Sequence, residues 1–332
     1  MAFSKPCQTV IVLQTGGKMK LQTQVEIKRT DLVVDYHTRM MMLGSCFAEN
    51  IGSRFQYYRF PVDINPCGIV YNPLSVAAVL RLLTNNKRFT ESDLLMNEEK
   101  WVSLLHHGSF SSPHKELCLK GINDRLEQAA GRLHHTDLLI ITWGTAWVYR
   151  YKATGAVVAN CHKFPVTAFE RSRLSIAEIV SEYTELISAL REVRPGVKVL
   201  FTVSPIRHWK DGANGNQLSK ATLLLAIDEL CRQLSGVYYF PSYEIVMDEL
   251  RDYRFYAEDM LHVSDVAVDY IWERFRESCI SPDTERLMKR VEKVNKTLAH
   301  RPSDENDPAW CTLYAQAQCE LEEIKRMTDT GY

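Results

Sequence analysis

MMLGSCFAEN, residues 41–50, joins the end of an apolar run to an abrupt Gly44-Ser45 turn and then to a segment with helical spacing. On its N-terminal side, RMMML at 39–43 reads as a buried strand. On its C-terminal side, FAENIGSRFQYY at 47–58 puts Phe47, Ile51 and Phe55 on one side of a helix. Strand, tight turn and helix together open an alternating α/β chain. They also pose a chemical question about Ser45. It either caps the helix, as serine commonly does, or stands as a hydroxyl at a strand end. In the second case its N–H lies near a helix N-terminus, where developing negative charge is favoured.

The same rhythm recurs along the chain. FPVDINPCGIVYNP reads as a strand running into a loop, and PLSVAAVLRLLTNN as a helix with Pro73 in its first turn, where a missing N–H costs nothing. NDRLEQAAGRLHH reads as a helix and TDLLIITWGTAW as a central strand with its exit loop. LSIAEIVSEYTELISALREVRP is a helix ended by Pro195, VKVLFTVSP a buried strand and QLSKATLLLAIDELCRQL a helix. VYYFPS, YEIVMDELRD and SDVAVDYIWERFRESC follow as strand, helix and helix, the last with Ser264 as N-cap. This order predicts a three-layer α/β/α fold with a mostly parallel sheet. Sites in such sheets lie beyond the carboxyl ends of the strands. The loops after Leu43, Thr142 and Val203 fall there.

Two stretches break the rhythm. Residues 87–120 read as an inserted hairpin or lid, and residues 150–170 as a short strand or loop insertion. Residues 1–18 read as a disordered or extended segment, 19–300 as one domain, and 301–332 as a linker with a C-terminal helix near 310–326. Short alternating stretches at 19–35 predict an edge hairpin or an extended arm.

Forty basic and 41 acidic residues leave the 332-residue chain with a net charge of −1. That gives no global field for nucleic acid or an anionic membrane. No apolar run approaches the ~20 residues needed to span a bilayer. The apolar run near the start lacks a charged lead and a small-residue cleavage site, so a cytoplasmic protein is expected. The nine cysteines are odd in number and scattered, with no CxxC; free thiols fit better than a disulfide framework or a zinc ribbon. His106-His107 and His134-His135 are adjacent pairs and lack the i,i+4 spacing of a helical zinc motif. No metal and no cofactor is expected.

DMLH at 259–262 bears on Ser45. An Asp three residues before a His, in a loop leading into a late helix, can set a carboxylate beside one imidazole nitrogen. The other nitrogen is then free to take a proton from a serine hydroxyl, which barely ionises on its own.

With these residues in view, GSCF at 44–47 and DMLH at 259–262 on an alternating α/β chain resemble the SGNH/GDSL hydrolase superfamily. More narrowly, LGSCFAENIG, NPCGIVYNPLS, ITWGTAW, NCHKFP, SPIRH and FYAEDMLH resemble the GSCFA family, over about residues 20–300. The resemblance implies Ser45 as nucleophile, His262 as general base and Asp259 as the group that orients His262. It also implies an oxyanion hole built from the Ser45 N–H, the Gly68 N–H and an asparagine side chain after the third strand. The asparagine is not there: the chain reads Gly144-Thr145-Ala146-Trp147. One lost oxyanion donor costs roughly 10²–10³ in rate. Asn65 and Asn72 are candidate substitutes, against a plain turn-making role beside proline.

Other polar residues at expected strand ends are candidate pocket groups. They are Thr145, His208 and Arg207 in SPIRH, His162 in NCHK, and His107 from the 87–120 insertion. An arginine there suits a carboxylate or phosphate. Trp147 is a candidate platform for a sugar or aromatic group, while Trp143 reads as core. Cys46 invites a thiol-nucleophile alternative, though a free cysteine is often simply buried. The leading expectation is a serine esterase or deacylase acting through an acyl-enzyme on a small-molecule or glycan acyl ester. An acyltransferase with the same three residues and a catalytically weak ligand-binding module are the alternatives. The sequence leaves the oligomeric state open.

Overall fold

Five short runs, four of them strongly apolar, build the centre of the molecule, and their burial explains the rest. A computed structural model describes residues 23–331, apart from positions 29 and 305. The expectation for residues 1–18 lies outside the described residues. In chain order the elements begin β1 (Met40–Gly44), α1 (Cys46–Tyr57), β2 (Val62–Ile64), α2 (Pro73–Thr84), β3 (Leu95–Asn97), β4 (Lys100–Val102) and α3 (Lys115–Leu133). Next come β5 (Leu138–Trp143), β6 (Trp147–Tyr151), β7 (Val157–Val158), β8 (Phe169–Arg173), α4 (Ile176–Val193), β9 (Lys198–Val203) and α5 (Gly212–Gln233). The chain closes with β10 (Val237–Tyr239), the short turn α6 (Ser242–Glu244), α7 (Asp265–Cys279), α8 (Pro282–Ala299) and α9 (Pro308–Thr328).

The central sheet has the order β2-β1-β5-β9-β10, and each neighbouring pair is parallel. Side-chain alternation splits the apolar runs between its two faces. Met41, Leu43, Ile141, Trp143 and Phe201 pack with α2, α3, α4 and α5 in one core. Met40, Met42, Ile140 and Leu200 pack with α1, α7 and α8 in the other. The result is the expected three-layer α/β/α arrangement. In the second core Phe55 meets Phe60, Trp272 and Phe275 edge-on. Removing that ring costs on the order of 3–5 kcal/mol.

The excursions form small sheets of their own. β3 and β4 make an antiparallel hairpin, and β6 is flanked by β7 and β8 in an antiparallel sheet beside the main one. FERSR is too polar to announce a strand, yet as β8 it pairs with β6 from Trp147–Arg173 to Tyr151–Phe169. Helix α3 starts at Lys115 rather than at Asn123, because Cys118 and Ile122 extend the buried stripe of Leu126, Ala129 and Ala130. YEIVMDELRD is not one helix: α6 runs into a single wide turn over Ile245–Glu249. Of the two forms expected for residues 19–35, the described part takes the extended one. The Val25 N–H donates to Glu249 Oε1 at 2.5 Å, and Val34 bridges Ile280. At the other end, α9 lies on α8 through Ile324 and the Arg290 ion pairs to Glu320 and Glu323.

Among the described residues no helix is long and apolar enough to cross a membrane, and no group of three His, Cys, Asp or Glu side chains could hold a metal ion.

Candidate active site

Ser45 follows directly on β1, and the backbone there has little choice. Gly44 sits at φ +141°, and a Cβ on it would fall 2.1 Å from the Thr142 carbonyl oxygen on β5. Only glycine permits that approach. The Gly44 N–H is held by Asn65 Oδ1 at 2.9 Å. Ser45 is thereby delivered to the N-cap position of α1, but its side chain makes no capping bond. The residue is 2% exposed, and Oγ has no hydrogen-bond partner among the described residues. A buried hydroxyl normally finds one, so Ser45 Oγ is not explained by the helix start.

That hydroxyl lines a cleft of about 510 Å³ at the carboxyl ends of the strands. Of the residues singled out from sequence, Asn72, His107, Thr145, Trp147, Arg207, His208 and His262 line it too, together with Cys46. Asn65, Gly68, His162 and Asp259 do not.

Asp259 and His262 stand on the loop leading into α7, where Ser264 caps the helix by accepting from the Ala267 N–H. Asp259 Oδ2 meets His262 Nδ1 at 2.5 Å, and its Oδ1 accepts the N–H groups of Leu261 and His262 at 2.9 Å each. These bonds, led by the imidazole, hold the carboxyl down to about 2, so it stays ionised. A carboxylate at Nδ1 needs the proton there, which leaves Nε2 with a lone pair. Both side chains are about half exposed, at 52% for His262 and 47% for Asp259. Ser45 and His262 share the cleft without a hydrogen bond between them.

The remaining candidates divide by what they already hold. The Gly68 N–H donates to the Asn65 carbonyl at 2.8 Å, and the Ser45 N–H to the Thr142 carbonyl at 3.3 Å. Asn65 spends its amide on the Gly44 N–H and on Glu49, at 3.2 Å. Asn72 caps α2: Oδ1 accepts from the Ser75 N–H at 2.8 Å, and Nδ2 donates to Ser75 Oγ at 2.9 Å. Thr145 Oγ1 bonds Ser219 Oγ at 3.1 Å and accepts the Trp147 N–H at 3.2 Å. His162 Nε2 donates to the carbonyls of Ser103 and His106 at 2.8 and 3.0 Å, which ties the two excursions together. His107 Nδ1 accepts the Ser109 N–H at 3.2 Å, so in the neutral ring Nε2 carries the proton.

His208 closes the cleft on the β9 side. Burial pushes its imidazole down to about 4, with the nearby Lys220 ammonium adding to the effect, so it is neutral at ordinary pH. Its Nε2 lies 3.1 Å from where a Cβ on Gly144 would stand, and its ring meets Tyr71 edge-on. Cys46 keeps its proton, because burial raises the thiol above its ordinary value. That weighs against a thiolate nucleophile.

Three residues on one side of α5 were not foreseen. Asn216 Oδ1 accepts the His208 N–H at 3.0 Å, and Ser219 Oγ accepts the Ala146 N–H at 2.8 Å. Lys220, 1% exposed, donates to the carbonyls of Gly144 and Ser204 at 2.6 Å each. Spaced i, i+3, i+4, they share one helix face and pin the loops after β5 and β9 from beneath. Burial drops the Lys220 ammonium to about 7, with Arg207 adding to the effect. Only the spacing was visible in advance, since the partners are backbone groups between 8 and 76 residues away.

The GSCFA family model matches residues 39–275 of the chain. No curated protein matches it. Among solved structures it is similar to a family two carbohydrate esterase from Clostridium thermocellum, in complex with cellohexaose. That likeness has 18% identity and a TM-score of 0.25, over 47% of this chain and 37% of the other. It is also similar to a Clostridium thermocellum family 3 carbohydrate esterase, at 11% identity and a TM-score of 0.36, over 76% of this chain and 97% of that one. An acetyl xylan esterase from Butyrivibrio proteoclasticus is a third, at 12% identity and a TM-score of 0.36, over 74% and 65%. Likeness at this level says nothing of the chemistry, which rests on the cleft itself.

Proposed function

The chain belongs to the GSCFA family, and from that premise we propose that it is a serine-dependent esterase or deacylase. The observation that carries this reading is the Ser45 hydroxyl. It is buried at a strand end, takes no part in capping α1, and faces the same cleft as an imidazole whose Nδ1 is held by a carboxylate.

In the proposed reaction His262 Nε2 takes the proton of Ser45 Oγ as the oxygen attacks an ester carbonyl. Asp259 keeps the required tautomer and stabilises the imidazolium. The tetrahedral intermediate collapses, His262 returns the proton to the departing alcohol, and an acyl-Ser45 ester remains. Water, deprotonated by His262, then releases the acid.

The oxyanion needs donors aimed at it. The Ser45 N–H is the first, since its bond to Thr142 is long at 3.3 Å and gives way at little cost. Asn72 Nδ2 has two protons and spends one on Ser75 Oγ. Neutral His208, at the Gly144 corner of the cleft, is the proposed stand-in for the missing asparagine; a neutral imidazole is a competent electrophile of this kind.

A second reading, a ligand-binding module, is favoured by the lack of a Ser45–His262 hydrogen bond and by the Gly68 N–H being already given to Asn65. Release of free acid from a panel of acetylated sugars and simple acetyl esters separates the two. Release that disappears in Ser45→Ala supports the esterase. A ligand bound equally well by wild type and Ser45→Ala, with no acid released, replaces it with the module. Adding an acceptor alcohol tests acyl transfer, which predicts a new ester in place of free acid.

A further inference from the structure

The charges around the cleft do not balance. Among the described residues Asp211 is the one carboxylate lining it, and it is paired with Arg171. Arg207 and Lys210 line it as well. The hydrogen bonds of their charged groups go to neutral atoms: Arg207 Nη2 to Met247 Sδ at 3.3 Å, and Lys210 Nζ to Tyr149 Oη at 2.6 Å. The acids of the adjoining groove, which Arg207 also lines, are engaged elsewhere. Asp259 holds His262, and Asp252 lies 3.8 Å from Arg254. Beneath the cleft, the buried Lys220 amine donates to two carbonyls and lies 5.9 Å from the Tyr243 ring centroid.

Arg207 is half-buried and Lys210 exposed at the rim, so the Arg207 charge in particular is better solvated when something anionic meets it. Their pull on an anion is also stronger there than in open water. Two further donors in the cleft wall, Arg171 Nε and Trp147 Nε1, are buried without partners. The Arg171 guanidinium carbon lies over Trp147, 4.2 Å from the ring centroid.

We infer that the ester taken by this cleft carries a negative charge, a carboxylate or a phosphate, which Arg207 and Lys210 hold beside the bond to be cleaved. This rests on the esterase reading for its word "ester". The anion site itself does not. Arginine offers two parallel N–H groups to such an oxyanion, and lysine a point charge.

The test is calorimetric titration of the full chain carrying Ser45→Ala, with glucuronate, glucose 6-phosphate and glucose as probes. At least one of the two anions binds ten times more tightly than glucose, and which one does so separates carboxylate from phosphate. Arg207→Gln and Lys210→Gln in that background each weaken the preferred anion about tenfold, while Arg207→Lys keeps part of the affinity and so controls for misfolding. Glucose binding as well as both anions, or the Arg207→Gln/Lys210→Gln double variant binding them unchanged, overturns the inference. Acid release by the wild type is a separate readout. If anion selectivity holds while no acid is released from any ester, the esterase reading falls and the anion site stands. Acid release without anion selectivity has the reverse meaning.

Discussion

The two halves of the proposed machinery are built in opposite ways. Ser45 is 2% exposed and held by a parallel sheet, a glycine against a carbonyl, and Asn65 under the turn. His262 and Asp259 are about half exposed, on a loop where Met260 adopts φ +59°. The first region is set by the core and cannot move without unfolding β1 from β5. The second is set by three hydrogen bonds to one carboxylate, by the antiparallel backbone bridge between Tyr256 and Val263 that closes the loop, and by the cap of α7. On the proposed roles, a fixed nucleophile with a base carried on a surface loop accounts for a shared cleft without a hydrogen bond between them. The loop supplies the adjustment when substrate is bound, as catalytic contacts often tighten only then.

This contrast predicts a graded set of outcomes. The largest is for Ser45→Ala, which removes the nucleophile and lowers kcat/KM for ester cleavage by roughly 10⁴–10⁶. Its melting temperature stays close to wild type, because the hydroxyl caps nothing. Next is Asp259→Asn, which keeps the loop bonds at Oδ1 but offers the wrong group to Nδ1. Steady-state rates fall by roughly 10²–10⁴ with little change in thermal stability. A large loss of stability instead would make Asp259 a structural residue and erase the contrast.

Gly44→Ala strikes the other half. A Cβ 2.1 Å from the Thr142 oxygen cannot be accommodated without moving β1, and the cost is on the order of 3 kcal/mol or more in chemical denaturation. Wild-type stability in Gly44→Ala would show that the turn is soft, as the His262 loop is taken to be.

The last expectation concerns the pH dependence that Lys220 imposes. Its pKa is lowered by burial to about 7, from an ordinary value of 10.5. The unfolded chain therefore binds more protons between those two values. The cost of the buried ammonium is fully present below about pH 7 and is relieved as pH rises through that window. Stability of the wild type relative to Lys220→Met should rise with pH there, by at most about 1.4 kcal/mol per pH unit. A flat difference from pH 6 to 10 would contradict the lowered pKa of Lys220.

What was legible in the sequence follows from the same physics. RMMML, DLLIIT and VKVLFTV announce themselves because strands covered on both faces have no polar alternation. The turn at Gly44-Ser45 and the Asp259/His262 spacing were legible because each is local. WVYRY and FERSR were not, since a small half-exposed antiparallel sheet leaves no apolar run, and so Arg171 went unnoticed. Lys220 was hidden for a different reason. In SKATLLLAIDEL it looks like an ordinary solvent-facing lysine, and its two partners are carbonyls 76 and 16 residues away. The altered loop Gly144-Thr145-Ala146-Trp147 was visible as a departure. That α5 holds it by Ser219 and Lys220 was not, because backbone contacts carry no sequence signature.

The central claim is that Ser45 is an activated serine served by His262, and the most direct test is covalent labelling with a fluorophosphonate probe, mapped by peptide mass. The account predicts modification at Ser45 in the wild type, none in Ser45→Ala, and labelling slowed by roughly 10² or more in His262→Ala. A folded wild type that resists the probe, or one labelled as fast without His262, would contradict it.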